Sequence, residues 1–280
     1  MDKYATILSI AGSDCSGGAG IQADLKTISA LGGYAATAIT AITVQNTCGV
    51  RAIHPVPPEF VKGQIEAVME DICPDAIKIG MINDVEIVKV IADSLRKYRP
   101  QWVVFDPVMV STSGCKLIED TAIEVLKTEL MPLSTLITPN LREAEVLLNK
   151  KIDTLDEMRE AAATLLCFGS KAVLLKGGHL SGNDMTDVLQ FADKKNPVLY
   201  KGIKTESCNT HGTGCTLSSA IATLLAHGYT MEKAVEDAKK YVANGIFYGK
   251  DVHIGEGHGP LNHFFSPVPM KIKSIPCEKK

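Results

Sequence analysis

The stretch Asn209-Thr210-His211-Gly212-Thr213-Gly214-Cys215-Thr216 stands directly before an apolar helical run marked by Leu217, Ile221, Leu224 and Leu225. Two glycines separated by one threonine leave several backbone N–H groups open at a helix N-terminus, where the macrodipole adds to their attraction for anions. The segment reads as an anion hole, because its glycines exceed what a plain Thr/Gly cap needs. Cys215 falls in the first helical turn, where the dipole and any nearby lysine lower a thiol's reference pKa of about 8.5. The expectation is a partly ionised thiol suited to proton abstraction or nucleophilic attack; a small buried core residue is the alternative. A base beside an anion hole is what transfer of phosphate to an alcohol requires.

Two acidic positions could serve a metal. Asp106 ends the apolar run 102–105 and precedes Pro107, which puts its carboxylate at the carboxyl edge of a sheet, where open α/β folds bind ligands. Glu143 follows Asn140 by three residues in Thr138-Pro139-Asn140-Leu141-Arg142-Glu143, on one face of a first helical turn. Such a pair suits magnesium, which keeps several waters and takes one or two carboxylates. A cap or a solvated surface acid is the other reading of each. Lys176 closes the run 172–175 ahead of Gly177-Gly178 and can reach a phosphate as a point charge, or snorkel at the surface.

The glycine-rich segment Gly17-Gly18-Ala19-Gly20-Ile21-Gln22-Ala23 opens a helix after the first strand and formally matches a dinucleotide fingerprint. That fingerprint wants an acidic residue about twenty positions on. After Asp24 none occurs until Glu59, so nicotinamide binding is set aside. The remaining readings are a tight turn that needs glycine for its backbone angles, or small residues that admit a ligand while Asp24 accepts a hydrogen bond from it. Gly177 to Asp184 is the nearest approach to a Walker A loop and has Asn183-Asp184 where the Lys-Ser/Thr ending is required, so no P-loop is present.

These residues need a scaffold, and the pattern of the chain supplies one. Short β-rich runs at 5–11, 35–44, 76–79, 102–105, 135–137 and 172–175 alternate with helical periods at 21–31, 59–72, 85–98, 121–130 and 158–168. That is the signature of βα units around a mostly parallel sheet. Runs 187–192 and 198–203 read as an antiparallel edge hairpin, and helices at 215–226 and 231–248 follow. With 280 residues and 45% hydrophobic side chains, a sizeable core in one domain over 1–265 is expected. Residues 266–280 turn proline- and lysine-rich and read as a loosely held tail.

A formal charge of -3 excludes the counterion-release term behind non-specific nucleic-acid binding. The eight cysteines contain no C-x-x-C pair, and the N-terminal apolar stretch is too short for a signal peptide. Reduced thiols and a soluble, cytoplasmic protein are expected. Stretches 27–50 and 207–231 lack the continuity of a membrane span.

Taken together, Gly12-Ser13-Asp14 with GGAGIQADLK, then AITVQN, IKIGM, DPVMV, TPNLREAE, LLKGGH, NTHGTGCTLSSAI and GHGPLNHFF resemble the hydroxymethylpyrimidine and phosphomethylpyrimidine kinases of thiamine biosynthesis, in the ribokinase-like superfamily. The resemblance runs from about Ile7 to Phe265. It implies a three-layer αβα sandwich, with ATP and Mg2+ used to phosphorylate 4-amino-5-hydroxymethyl-2-methylpyrimidine to its monophosphate and then its diphosphate. It further implies that Gln45 hydrogen-bonds the aminopyrimidine, with Ala19, Asp24, Met81 and Val108 shaping its pocket. Gly212, Thr213 and Gly214 would form the anion hole, Cys215 would be the base, and Lys176 would stabilise charge. Asn140, Lys176 and Thr210 would hold the nucleotide, and Asp106 and Glu143 the metal. Sugar-kinase relatives carry an aspartate where this chain has Cys215. A homodimer is the expected assembly. The rival readings are a pyridoxine or pyridoxal kinase of the same superfamily, an acyl-transfer enzyme in which His211 or His179 serves Cys215, and a ligand-binding regulator without catalysis. Movable loops are expected near Gly114 and at Gly177-Gly178.

Overall fold

The computed structural model describes residues 2–109, 117–178 and 184–274. In chain order its elements are β1 (Asp2–Tyr4), β2 (Thr6–Asp14), α1 (Gly20–Ala30), β3 (Tyr34–Asn46), β4 (Gly49–Pro55), α2 (Pro58–Asp71), β5 (Ala76–Ile79), α3 (Val85–Tyr98), β6 (Val103–Phe105), α4 (Asp120–Val125), β7 (Leu136–Ile137), α5 (Leu141–Leu148), α6 (Leu155–Leu165), β8 (Ala172–Leu175), β9 (Asp184–Phe191), β10 (Val198–Ile203), α7 (Thr213–Ala226), α8 (Met231–Gly249) and β11 (Ile272–Ser274).

The central strands are apolar at consecutive positions because both faces of the sheet are covered. On β2, Leu8 and Ile10 face a core built with α2, α3, α5 and α6, while Ile7 faces a second core built with α1, α7 and α8. The same alternation sends Val103 and Phe105 of β6 to the first core and Val104 to the second. Helices form where the sequence supplies both an apolar stripe and end signals. On α3, Ile87, Val88, Ile91 and Leu95 are buried, Asp84 accepts a hydrogen bond from the Ile87 N–H, and Arg96 and Lys97 lie in the last turn.

The nine-stranded sheet has the order β10-β9-β8-β7-β6-β5-β2-β3-β4. Its six central strands run parallel, with β4 antiparallel on one edge and the β9-β10 hairpin on the other. The mostly parallel αβα architecture and the edge hairpin agree with the sequence reading. Strand β4 was not expected, since its exposed edge residues leave no apolar alternation to read. The helix expected at 121–130 is α4 followed by one π-helical turn, Leu126–Leu130. It stops near Pro132, which has no N–H to continue the ladder.

The tail is partly tied down, contrary to the expectation of a loose segment. Strand β11 pairs antiparallel with β1. Val268 N–H bonds the Ala30 carbonyl and Lys271 N–H bonds the Gly32 carbonyl, each at 2.9 Å. The turn after α1 leaves carbonyl groups that the tail satisfies. Residues 275–280 and the Gly114 region lie outside the described residues.

Candidate active site

A cleft of about 1390 Å³ opens at the carboxyl ends of the parallel strands, the place where open α/β sheets receive ligands. Met81, Asp106, Asn140 and Lys176, which follow β5, β6, β7 and β8, all line it. Asp106 is almost wholly buried, and its Oδ1 accepts hydrogen bonds from Lys176 Nζ at 2.8 Å and Thr138 Oγ1 at 2.9 Å. Burial would depress the Lys176 ammonium, but Asp106 and Glu143 outweigh it and hold its pKa above the ordinary value.

The anion loop abuts this pair. A Cβ added to Gly214 would lie 3.4 Å from Asp106 Oδ2 and 3.5 Å from Lys176 Nζ. Gly212 caps α7 in the left-handed region at φ 80°. A Cβ there would stand 1.9 Å from the Gly18 carbonyl oxygen, so the loop and the Gly17-Gly18 turn are in backbone contact. The glycine segment after β2 therefore forms a wall against the Gly212 loop, and Gly17 and Gly20, at φ 81° and 54°, bear out the reading of a tight turn that needs glycine for its backbone angles. Asp14 fixes that wall, accepting hydrogen bonds from the Ser16, Gly18 and Ala19 N–H groups and lying 2.9 Å from His211 Nε2. Burial alone would raise the Asp14 pKa, yet the bonds from His211, Ser16 and Ala19 hold it well below the usual carboxylate range.

Cys215 lines the cleft, but its charge state differs from the sequence expectation. Burial pushes the thiol up to about 11; Lys78 and the Gly20 N–H oppose this, while Asp24 and Asp106 add to it. The thiol is protonated at neutral pH. Sequence reasoning counted the helix dipole and a lysine, and could not count two carboxylates delivered by α1 and β6.

Asp24 is the other correction. It does not line the cleft, because its side chain is fully buried between α1, β5 and α7. Its carboxylate takes hydrogen bonds from Ser9, Ser219 and Lys78, and this leaves no lone pair aimed at a ligand. The remaining expected residues do line the cleft: Ala19, Gln45, Met81, Val108, Asn140, Glu143, Thr210, Gly212, Thr213 and Gly214 join those above.

Glu143 is buried and closes a capping box on α5, its Oε2 accepting from the Asn140 N–H while Asn140 Oδ1 accepts from the Glu143 N–H. The cap reading holds, and the same residue also lines the cleft. Burial pushes its carboxyl up to about 7, with Asp106 adding and Lys176 opposing. Two carboxylates that share one ammonium are short of positive charge, which fits a hard divalent cation. Among the described residues no group of three or more His, Cys, Asp or Glu side chains could hold a metal. The protein would supply one or two carboxylates and leave the rest to water and phosphate, as magnesium accepts.

The far half of the cleft escaped the sequence reading. Leu199 and Ile203 of β10 and Val242, Ala243 and Ile246 of α8 all line it, and Ile203 is 84% exposed. This lining suits a flat apolar ring. Asp187 anchors it, accepting from the Gly177 N–H at 2.9 Å and from Lys239 Nζ at 2.6 Å. The hairpin and helix were legible, but which of their side chains meet is decided by packing. Arg142 also lines the cleft and was missed, although it stands within a motif already singled out. His179, one candidate partner for Cys215, lies outside the described residues, and the other, His211, is engaged by Asp14. The described cysteines are free thiols, and no helix among the described residues is long and apolar enough to cross a membrane.

Comparison with known proteins agrees with this geometry. The family model for phosphomethylpyrimidine kinase matches residues 14–262. The chain is 48% identical over 261 residues to the hydroxymethylpyrimidine/phosphomethylpyrimidine kinase of Rhizobium meliloti, covering 93% of this chain and 97% of that protein. It is 47% identical over 261 residues to the thiamine biosynthesis bifunctional protein ThiED of Geobacter sulfurreducens, covering 93% of this chain and 52% of that one. The chain thus spans about half the length of the bifunctional relatives it matches. Among solved structures, the phosphomethylpyrimidine kinase of Clostridium difficile is 46% identical with a TM-score of 0.76, covering 86% of this chain and 99% of that chain. The Staphylococcus aureus pyridoxal kinase in complex with AMP-PCP and pyridoxal is 30% identical with a TM-score of 0.85, covering 98% and 100%. The shared architecture and the match across nearly the whole sequence make this chain a member of the phosphomethylpyrimidine kinase family.

Proposed function

We propose that the protein transfers the γ-phosphoryl group of ATP to 4-amino-5-hydroxymethyl-2-methylpyrimidine, and then phosphorylates the monophosphate to the diphosphate. The observation that carries this reading is the contact of the Gly212–Gly214 anion loop with the Asp106–Lys176 pair, in one cleft with Cys215 and Gln45. Phosphoryl transfer has a loose transition state, so catalysis is chiefly alignment and charge stabilisation.

The N–H groups that open α7 and the Lys176 ammonium receive charge on the moving phosphoryl. Asp106 and Glu143 would hold Mg2+, with Asn140 and Thr210 at the nucleotide. A bound Mg2+ neutralises phosphate charge. The apolar residues that β10 and α8 add to the cleft lining take the adenine, and Gln45, Ala19, Met81 and Val108 take the pyrimidine. The hydroxymethyl oxygen forms the new P–O bond as the bond to ADP breaks, and its proton passes to the Cys215 thiolate. In the free protein that thiolate is a minority, about one in 10⁴ at neutral pH for a thiol at about 11. The second step needs less help, because a phosphate monoester with a second pKa of about 6 has already lost its proton. The protein is proposed to act in the cytoplasm as a homodimer, with one catalytic domain over residues 1–265 and the tail appended.

Mass spectrometry of the protein incubated with magnesium, ATP and the pyrimidine alcohol tests the proposal. A monophosphate that gives way to a diphosphate is expected, and no transfer would refute it. Pyridoxal phosphorylation is the second reading, since several similar structures are pyridoxal kinases. Parallel assays with both alcohols separate the two.

A further inference from the structure

His211 and Thr43 flank the amide of Gln45, and the hydrogen-bond arithmetic around them permits only one arrangement. Asp14 Oδ2 lies 2.9 Å from His211 Nε2. Asp14 is ionised, so Nε2 must carry the proton that joins them. The same Nε2 lies 3.1 Å from the amide of Gln45. With the amide nitrogen at that end, two N–H donors would face each other.

A second conflict arises at the opposite end. Thr43 Oγ1 lies 2.9 Å from the Ser13 carbonyl oxygen and 3.3 Å from the Gln45 amide. One hydroxyl hydrogen cannot serve two acceptors well, and the carbonyl takes it at the shorter distance. Thr43 then has only lone pairs to offer Gln45. Amide ends are assigned from their partners, and both conflicts disappear when Oε1 faces His211 and Nε2 faces Thr43. His211 Nε2–H is then shared between Asp14 and Oε1, and Gln45 Nε2–H donates to Thr43.

We infer that Asp14, His211 and Thr43 lock the Gln45 amide in one orientation, and that the lock makes the cleft select an aminopyrimidine over the corresponding oxopyrimidine. In this arrangement Oε1 keeps one lone pair and Nε2 one N–H for a ligand. An amino group beside an unprotonated ring nitrogen offers one donor and one acceptor, which pair with them. An oxo group beside a protonated ring nitrogen reverses the two, and an amide that cannot turn meets donor with donor and acceptor with acceptor. The ring cannot invert to compensate while its hydroxymethyl group must reach Cys215. His211 and Thr43 are positioning residues here, acting through Gln45. His211 is itself seated by the Gly17-Gly18 turn, since a Cβ on Gly18 would stand 2.3 Å from its ring.

The inference rests on the kinase reading above, and the test separates the two. With magnesium and ATP, kcat/KM is measured for the 4-amino and 4-oxo forms of the hydroxymethylpyrimidine in the wild type, His211→Phe and Thr43→Val. The wild type should favour the amino form by about 10⁴-fold, the scale on which sites built to hydrogen-bond a substrate group reject an analogue that leaves them unpaired. Each variant should lose about tenfold or more of that ratio, chiefly through a lower KM for the oxo form. Thermal melting of each variant with the amino form bound checks that the cleft is intact. Turnover of the amino alcohol with an unchanged ratio in both variants would overturn the lock. Absence of turnover on either alcohol in the wild type would overturn the kinase reading and the selection with it.

Discussion

Lys78 Nζ lies 2.9 Å from Asp24 Oδ2, and neither side chain has any exposure to solvent. Asp24 also receives hydrogen bonds from Ser9 Oγ at 2.5 Å and Ser219 Oγ at 2.6 Å. Cys215 lies one helical turn before Ser219, on the same face of α7. A charge pair thus sits directly beneath the proposed base, in the second core. Burial would depress the Lys78 ammonium, but Asp24 outweighs it and raises its pKa.

Removing one partner should cost far more than removing both. Lys78→Met leaves a buried carboxylate uncompensated, for which about 3–5 kcal/mol is expected. The double variant Asp24→Asn/Lys78→Met keeps hydrogen-bonding atoms near Ser9 and Ser219 and should lose less than Lys78→Met alone. Urea denaturation of the set measures it, and equal losses would contradict the account.

Cys215 should matter to one transfer and not the other. A thiol held at about 11 ionises further as pH rises through the neutral range, so the first step should accelerate relative to the second. Single-turnover rates of both steps at pH values from about 7 to 9, where the monoester is already ionised, give that ratio. In Cys215→Ala the first step should fall about 10²- to 10⁴-fold, the usual range for a general base. The second step should change little, and the ratio should become flat with pH.

Glu143 links metal affinity to pH. Its carboxyl titrates near 7 in the metal-free protein, and a cation must displace that proton. The apparent Mg2+ affinity read from activity should therefore weaken about tenfold between pH 8 and 6. Glu143→Gln should weaken Mg2+ binding and remove most of that dependence; a variant that keeps the wild-type profile would assign the titration elsewhere.

His263 sets a limit on acid stability. Burial lowers its pKa from 6.5 to about 4, and its Nε2 lies 3.1 Å from Thr216 Oγ1. The folded protein thus favours the neutral ring, and the stabilisation is complete above about 6.5 and lost as pH falls toward 4. The full difference is roughly 3 kcal/mol. Chemical denaturation at pH 7.5 and 4.5 should show a smaller drop in His263→Phe than in the wild type.

Much of the fold was legible because its signals are local. The runs at 76–79 and 172–175 coincide with β5 and β8, and 85–98 with α3, since apolar period, caps and flanking turns lie within a few residues. The anion loop was equally legible, because two glycines before an apolar helix define it without reference to the rest of the chain. The tail strand β11 was not, as its partner β1 lies at the other end of the chain, and β4, although it follows β3 directly, carries no apolar alternation of its own.

The sequence by itself determined which chemical groups are present and on which edge of the sheet they emerge: Asp106, Lys176, Gly212–Cys215 and Gln45 all reach the cleft it predicts. Tertiary structure alone decided their electrostatic state and company. Asp24 went to a buried lysine instead of a ligand, and Cys215 became a protonated thiol. Glu143 was pushed toward neutrality, and His211 joined Gln45 across 166 residues of chain. Desolvation and Coulomb terms depend on distance in space, and folding sets those distances between residues that sequence order leaves far apart.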